Sequence, residues 1–304
     1  AALNHIASKR VTMAQLKALT AFAAAGSYPG AAQVTGLSQP SLHRAINDLS
    51  VALRRTLLER RGKGLTLTEA GRKTVRAFRL AKAELDAGVS ELDGLKETGV
   101  ITIGAMPLSR ARLLPKAINL FLQSHPEVRV KVVEGAWNEL IEPLRDGDID
   151  MMIGALRDPA PGDDVQQIPL FDDVPLVIAR SGHPIAGQSP TLDDMAKFPW
   201  IVSAPGTPLR QQWQLMFSGQ PQLPDIPVEC GSVITIRELL LGSDALTLLS
   251  PDQVRVELES GWLQTLCPAP DGMKRTIGTT TRTGWRPTLK QAAFLDHLKA
   301  AVPH

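Results

Sequence analysis

Residues 12–22 read TMAQLKALTAF, residues 26–49 read GSYPGAAQVTGLSQPSLHRAINDL, and residues 59–71 read ERRGKGLTLTEAG. In the first segment Leu16, Leu19, Phe22 and Ala23 recur at helical spacing and give a first helix one apolar face. Ser27 stands where an N-cap is needed, with Pro29 in the first turn behind it, where a missing N–H costs nothing. Ala31, Ala32 and Val34 make the small apolar face of a short second helix that Gly36 ends. Ser38 caps a third helix, again with a proline, Pro40, in its first turn. Leu42, Ala45, Ile46 and Leu49 form its inner face. Two short helices joined by a tight turn, the second carrying polar residues outward, predict a helix-turn-helix that lays one helix in a DNA major groove.

The outward residues near the start of the third helix are Ser38, Gln39, Pro40, Ser41, His43 and Arg44. The polar ones have the length and donor or acceptor chemistry to reach base edges and phosphates. A basic hairpin follows. Leu65 and Leu67 alternate with Thr66 and Thr68, as in a half-exposed strand, and Gly62 and Gly64 permit a tight turn. Arg60, Arg61 and Lys63 fall at its tip, where they suit phosphate or minor-groove contact. The predicted unit is a winged helix-turn-helix.

This stretch resembles the N-terminus of the LysR-type transcriptional regulators. The resemblance rests on the Ala31-Ala32 pair, on Ser38-Gln39-Pro40-Ser41, on Arg44, Ile46 and Leu49, and on the wing from Leu58-Glu59-Arg60 to Leu67-Thr68-Glu69-Ala70-Gly71. The chain departs from the family at His43, where many members carry Ser or Thr. It departs again from Ser50 to Arg55, where many carry an acidic cluster.

Charge distribution agrees with a DNA-binding head. The net charge of +2 hides an asymmetry: residues 1–98 hold 15 Lys plus Arg against 8 Asp plus Glu, and the remainder 18 against 23. A basic head on a mildly acidic body is the electrostatic footprint of a nucleic-acid-binding domain joined to something else. With 304 residues, 43% of them hydrophobic and 21% charged, the chain has room for two or three domains with real cores. No apolar run approaches the ~18 residues of a membrane span. Residues 1–10 are too polar for a secretory signal. Cys230 and Cys267 lie far apart without metal-ligand spacing and suit a reducing compartment better than a disulfide. A cytoplasmic location is the expectation.

Domain boundaries follow from changes of pattern. Residues 1–67 hold a polar arm and the winged unit. Thr68 and Glu69 then open a long helix, with Val75, Phe78, Ala81, Leu85, Val89, Leu92 and Leu95 in steps of three and four. Such a stripe over residues 68–98 predicts a linker helix that pairs two heads; an ordinary core helix is the alternative. From Gly99 strands and helices alternate. Strands fall at Val100–Ala105, Val128–Val133 and Ile149–Ile153, with a helix over Arg112–Leu122 and another at Leu140–Arg145. Further strands fall near Val174–Ala179, Trp200–Ser203, Val228–Gly231, Ala245–Leu249 and Thr276–Thr281, and a closing helix at Thr288–Val302. Alternation of this kind predicts an α/β body with parallel sheets covered on both faces. The resemblance implies a bilobal, periplasmic-binding-protein-like effector domain over 99–304. Lobe one would be about 99–170 plus 276–304, and lobe two about 171–275.

The resemblance also implies where an effector binds: between the lobes, at turns that follow strands. Four turns match. They supply Pro107, Leu108, Ser109 and Arg110; Trp137 and Asn138; Ser203, Pro205, Gly206 and Thr207; and Ser232 and Val233. Helix N-termini, hydroxyls, one arginine and one tryptophan in a common cleft suit a small organic or aromatic acid. The same serines and threonines also serve as helix caps, Trp137 also serves as core, and Arg110 also serves in an ion pair. No cofactor or metal is expected. The chain has no G-x-S-x-G elbow, no phosphate loop and no H-E-x-x-H, and Gly62-Lys63-Gly64 lacks the rest of a dinucleotide motif. None of its six histidines has metal-ligand spacing.

The sum is a regulator, not an enzyme. Its implied partners are an inverted-repeat operator in double-stranded DNA, a small organic-acid effector, and further copies of itself. The linker helix gives a homodimer, and the family commonly forms a homotetramer. Two alternatives stand beside it. One is a DNA-binding protein whose body only oligomerises. The other is a solute-binding protein or enzyme whose basic head reads no specific site.

Overall fold

A computed structural model describes residues 11–62, 64–92, 99–221, 223–268 and 272–303. The arm before Val11, Lys63, and the last residues assigned to the linker helix lie outside the described residues. The chain divides into two units, residues 1–95 and 96–304.

The first unit is built of α1 (Met13–Ala25), α2 (Tyr28–Thr35), α3 (Gln39–Leu53), β1 (Leu58–Arg61), β2 (Gly64–Leu67) and α4 (Glu69–Leu92). Each of the first three helices starts on a hydroxyl that accepts a backbone N–H: Thr12 from Gln15, Ser27 from Gly30 and Ser38 from Ser41. Gly26 and Gly36, both left-handed, end α1 and α2. The core gathers Leu19, Phe22, Ala31, Leu42, Ile46, Leu49, Leu57 and Val75. The wing is an antiparallel pair, with Leu58 opposite Leu67 and Arg61 opposite Gly64. Thr68 ties the wing to α4: its hydroxyl donates to the Thr56 carbonyl at 2.6 Å and accepts the Gly71 N–H at 3.0 Å. Gly71 must remain without a side chain, because a Cβ there would lie 2.2 Å from the Leu57 carbonyl oxygen. The first turns of α4 bury Val75 against the winged core, and Phe78 one turn on is buried as well. Further along, Leu85 and Val89 are more than half exposed, one turn apart.

The second unit holds two five-stranded sheets. The first has the order β4 (Arg129–Glu134), β3 (Val100–Ala105), β5 (Met151–Ala155), β12 (Arg275–Arg282) and β6 (Val165–Asp173). Helices α5 (Leu113–Ser124) and α11 (Leu289–Ala300) cover one face through Phe121, Phe294 and Leu298. Helix α6 (Trp137–Asp146) covers the other through Trp137, Leu140 and Leu144. The second sheet has the order β11 (Leu263–Pro268), β7 (Leu176–Arg180), β10 (Leu246–Leu249), β8 (Trp200–Val202) and β9 (Val228–Glu229). It packs with α8 (Pro208–Met216) and α9 (Val233–Leu241) around Trp200, Trp213 and Phe217. A short helix, α7 (Leu192–Met195), and another, α10 (Arg255–Glu259), complete the lobe.

The sheets are mixed, which corrects the expectation of parallel ones. In each lobe a parallel core is flanked by antiparallel strands: β12 runs against β5 and β6, and β7 runs against β10 and β11. The reason is topological. The chain leaves the first lobe at the end of β6 and returns at the start of β12, so these two strands lie side by side in opposite directions. Asp173 is the register partner of Arg275.

Candidate functional site

Two surfaces carry the chemistry. On the first unit, Ser38, Gln39, Pro40, Ser41, His43 and Arg44 are all exposed along the start of α3, and Arg60 and Arg61 are exposed on the wing. Lys63 lies outside the described residues. Arg44, Arg60 and Arg61 have no carboxylate partner among the described residues, so their charge is free to meet phosphate. His43 is not a free arm. Its ring lies 5.4 Å from that of Tyr28, which in turn packs 4.9 Å from Phe22 in the core. Ser50 turns back and donates to the Ile46 carbonyl at 3.0 Å. Arg54 ends the helix in the left-handed region, at φ 54°.

On the second unit a cavity of about 190 Å³ opens between the two lobes. Its walls come from the carboxyl ends of the parallel strands, where ligands of open α/β sheets collect. Met106, Pro107 and Leu108 follow β3; Ala136 and Trp137 follow β4; Ala155 and Arg157 close β5. From the facing lobe come Ser203, Ala204 and Thr207 after β8, Cys230 and Gly231 after β9, and Leu248 and Leu249 of β10. Gln253 and Arg275 stand at the hinge side.

Of the residues predicted from the sequence, Pro107, Leu108, Trp137, Ser203 and Thr207 line this cavity. Ser109, Arg110, Asn138, Pro205, Gly206, Ser232 and Val233 are not among its lining residues. Local chemistry accounts for several of these. The fully buried Ser109 hydroxyl donates to the Met106 carbonyl at 2.8 Å and shapes the turn after β3. Arg110 is ion-paired with Glu134. Ser232 caps α9 by accepting the Thr235 N–H. Thr207 both caps α8 and shares a 2.8 Å hydrogen bond with Ser203 at the cavity wall.

Among the lining residues that sequence reading missed is Arg157. Its guanidinium carbon sits 5.2 Å from the ring centroid of Trp137, within cation–π reach. Gln167 clamps its backbone from both sides, accepting its N–H at 2.8 Å and donating to its carbonyl at 2.9 Å. Burial lowers its pKa. No carboxylate among the described residues pairs with it. The other cation of the cavity, Arg275, is already neutralised: its Nε donates to the buried Asp173 carboxylate at 2.8 Å, and Ser250 donates to the same carboxylate at 2.6 Å. Arg157 was findable in principle, because it stands just past a strand that the sequence does predict.

Among the described residues no group of three or more His, Cys, Asp or Glu could hold a metal ion. Among the same residues no helix is long and apolar enough to cross a membrane. Both cysteines are free thiols.

An exposed helix-turn-helix with a basic wing, followed by a two-lobed domain with a cleft at the strand ends, defines a class of DNA-binding regulators that carry a separate cleft-bearing domain. Residues 13–72 match the bacterial regulatory helix-turn-helix protein of the lysR family, and residues 95–303 match the LysR substrate binding domain. The chain belongs to the LysR family of DNA-binding transcription regulators. It is 36% identical over 252 residues to the HTH-type transcriptional regulator GalR of Pseudomonas putida, covering 82% of this chain and 64% of that one, just under two thirds of the relative's length. It is 32% identical over 279 residues to the SDS degradation transcriptional activation protein of a Pseudomonas species, covering 89% and 90%. Its fold is similar to the crystal structure of ArgP from Mycobacterium tuberculosis, with a TM-score of 0.74 at 19% identity over 94% of this chain and 96% of that one.

Proposed function

We propose that this chain is a cytoplasmic transcription regulator that reads an inverted-repeat operator as a dimer and answers to a small organic acid, aromatic acids included, bound between the lobes of its second unit. The observation that carries the effector reading is the Arg157 cation, without a carboxylate partner among the described residues, in a chiefly apolar cleft. A half-buried cation without a counter-ion is costly, and an anionic ligand removes that cost. Dimerisation is supported by the α4 stripe, where Leu85 and Val89 expose apolar side chains beyond the winged core. A dimer of dimers follows from the family as its expected assembly. Effector binding shifts the placement of the heads only if the ligand prefers one arrangement over another.

The test is selection of bound duplexes from a random DNA library, followed by affinity at two salt concentrations. A partly palindromic site, with affinity that falls steeply as salt rises, is the expected result. Selection that returns no preferred sequence from folded, dimeric protein would refute the operator reading. An organic-acid panel screened for thermal stabilisation tests the effector half: a true effector at 100 times its Kd adds roughly 2.7 kcal/mol.

A further inference from the structure

The cavity has one open charge, one ring-sized volume and one rigid platform. These three features narrow the ligand, given that the cleft is the effector site as proposed above. Of the two cations in the wall, Arg275 is matched by Asp173 in a contact of which both side chains are nine-tenths or more buried. Among the described residues Arg157 has no carboxylate partner and lies over the face of Trp137. The remainder of the wall is chiefly apolar, with Met106, Leu108, Ile236 and Leu249 facing the space. The hydroxyls of Ser203 and Thr207 are already bonded to each other. The site therefore has counter-charge for one negative group. A second carboxylate would lie against apolar side chains with no free cation and would be desolvated without compensation. A neutral amide would leave the Arg157 charge unanswered.

Volume sets the body of the ligand. An apolar cavity of about 150 Å³ holds a benzene ring. At about 190 Å³ this one has room for a single ring with a small substituent, or for a short branched or linear chain. A second fused ring would extend past the apolar wall toward the open mouth of the cleft.

We infer that the effector is a monoanion, a carboxylate on one ring or a chain of about six carbons, with Arg157 as its charge-selecting residue. Gln167 is a positioning residue: it fixes the Arg157 backbone and keeps the guanidinium over Trp137 before any ligand arrives. Preorganisation of this kind reduces the ordering cost of binding.

The experiment uses the full chain and matched probe sets. Benzoate, cyclohexanecarboxylate and hexanoate are each compared with their amides, with phthalate and adipate as dicarboxylates, and with 1-naphthoate as a two-ring acid. Binding is read by calorimetry and by quenching of tryptophan fluorescence. At least one of the three monocarboxylates is expected to bind at least tenfold more tightly than its amide and its dicarboxylate, and than naphthoate. Arg157→Gln is expected to abolish the acid-over-amide preference while amide binding stays within about twofold. Gln167→Ala is expected to weaken binding of the acid several-fold and leave that of the amide unchanged. Equal or tighter binding of amides or dicarboxylates overturns the monoanion assignment and leaves the cleft reading standing, provided that Leu248→Trp, which fills the cavity, blocks that binding. An acid preference that survives Arg157→Gln overturns the role of Arg157. Failure of every probe to bind folded protein overturns the inference, and a wider screen in which nothing binds or Leu248→Trp has no effect overturns the cleft reading as well.

Discussion

Asp173 and Arg275 meet carboxylate to guanidinium at 2.8 Å where the two strands that join the lobes lie side by side. Both side chains are at least nine-tenths buried, and Ser250 from the second lobe donates to the same carboxylate. A buried pair of this kind adds little over an apolar pair, but removing one member strands the other charge. Asp173→Asn is therefore expected to cost about 3–5 kcal/mol. Asp173→Leu combined with Arg275→Met is expected to cost much less. All five tryptophans lie beyond residue 136, so urea unfolding followed by tryptophan fluorescence reports this unit alone. A cost for Asp173→Asn within about 0.5 kcal/mol of zero would show that the hinge ion pair carries no weight.

Gly71 offers a second test, in the other unit. A Cβ at this position would meet the Leu57 carbonyl oxygen at 2.2 Å and Leu67 Cδ2 at 3.0 Å. The helix start and the wing base would have to separate. Gly71→Ala is expected to destabilise the winged unit by about 1–3 kcal/mol or more. Hydrogen exchange should quicken in residues 13–67 and stay unchanged in 100–303. Wild-type protection in the winged unit of the variant would show that the close approach relaxes at no cost.

Wing and helix should separate in their response to mutation. Arg60 and Arg61 are exposed and without acid partners among the described residues, which suits phosphate. Arg60→Ala or Arg61→Ala is expected to lower the slope of log affinity against log salt by about 0.9 for each phosphate left without its arginine, with the preferred site unchanged. Gln39→Ala and Arg44→Ala are expected to relax preference at one or two base pairs by about 1–3 kcal/mol. Site selection with each variant checks both. A wing variant that alters the consensus, or a helix variant that alters only the salt slope, would reverse the roles.

The winged unit was legible because its signals are local. Caps, prolines in first turns, and the three-and-four spacing of Leu42, Ile46 and Leu49 all act within a few residues of chain. The second unit was legible only in part. Strand β6, Val165–Asp173, escaped because its run QQIPL carries a proline and polar residues. It is an edge strand, where such residues are tolerated. Strand β11, Leu263–Pro268, is likewise an edge. The antiparallel strands of each sheet could not be read from alternation, since β12 pairs with β6 from more than a hundred residues away. Arg157 escaped because it stands in a loop beside Asp158, where a solvated local pair is the ordinary reading. Only tertiary packing sets it over Trp137. Arg110 looked equally suitable by sequence and instead pairs with Glu134.

Asp194 gives a prediction in pH. It stands in the first turn of α7, where its carboxylate accepts the Thr191 hydroxyl at 2.7 Å and the Thr191 N–H at 3.1 Å, with Lys197 at 3.1 Å. The Thr191 hydroxyl, then Lys197, hold its pKa at about 2, below the ordinary 3.8. A depressed carboxylate pKa means that the unfolded chain takes up the proton first as pH falls. Its contribution to stability is therefore fully present above the unfolded value and disappears as pH drops from about 4 toward 2. Asp194→Asn removes that contribution. The stability difference between wild type and Asp194→Asn should be constant above about pH 5 and narrow as pH falls below 4. Carbon-detected NMR titration of the Asp194 carboxyl should place its midpoint near 2 in the wild type. A midpoint near 3.8 in Thr191→Val, with Lys197 intact, would assign most of the shift to the hydroxyl; a midpoint that stays near 2 would assign it to Lys197 and the backbone N–H instead.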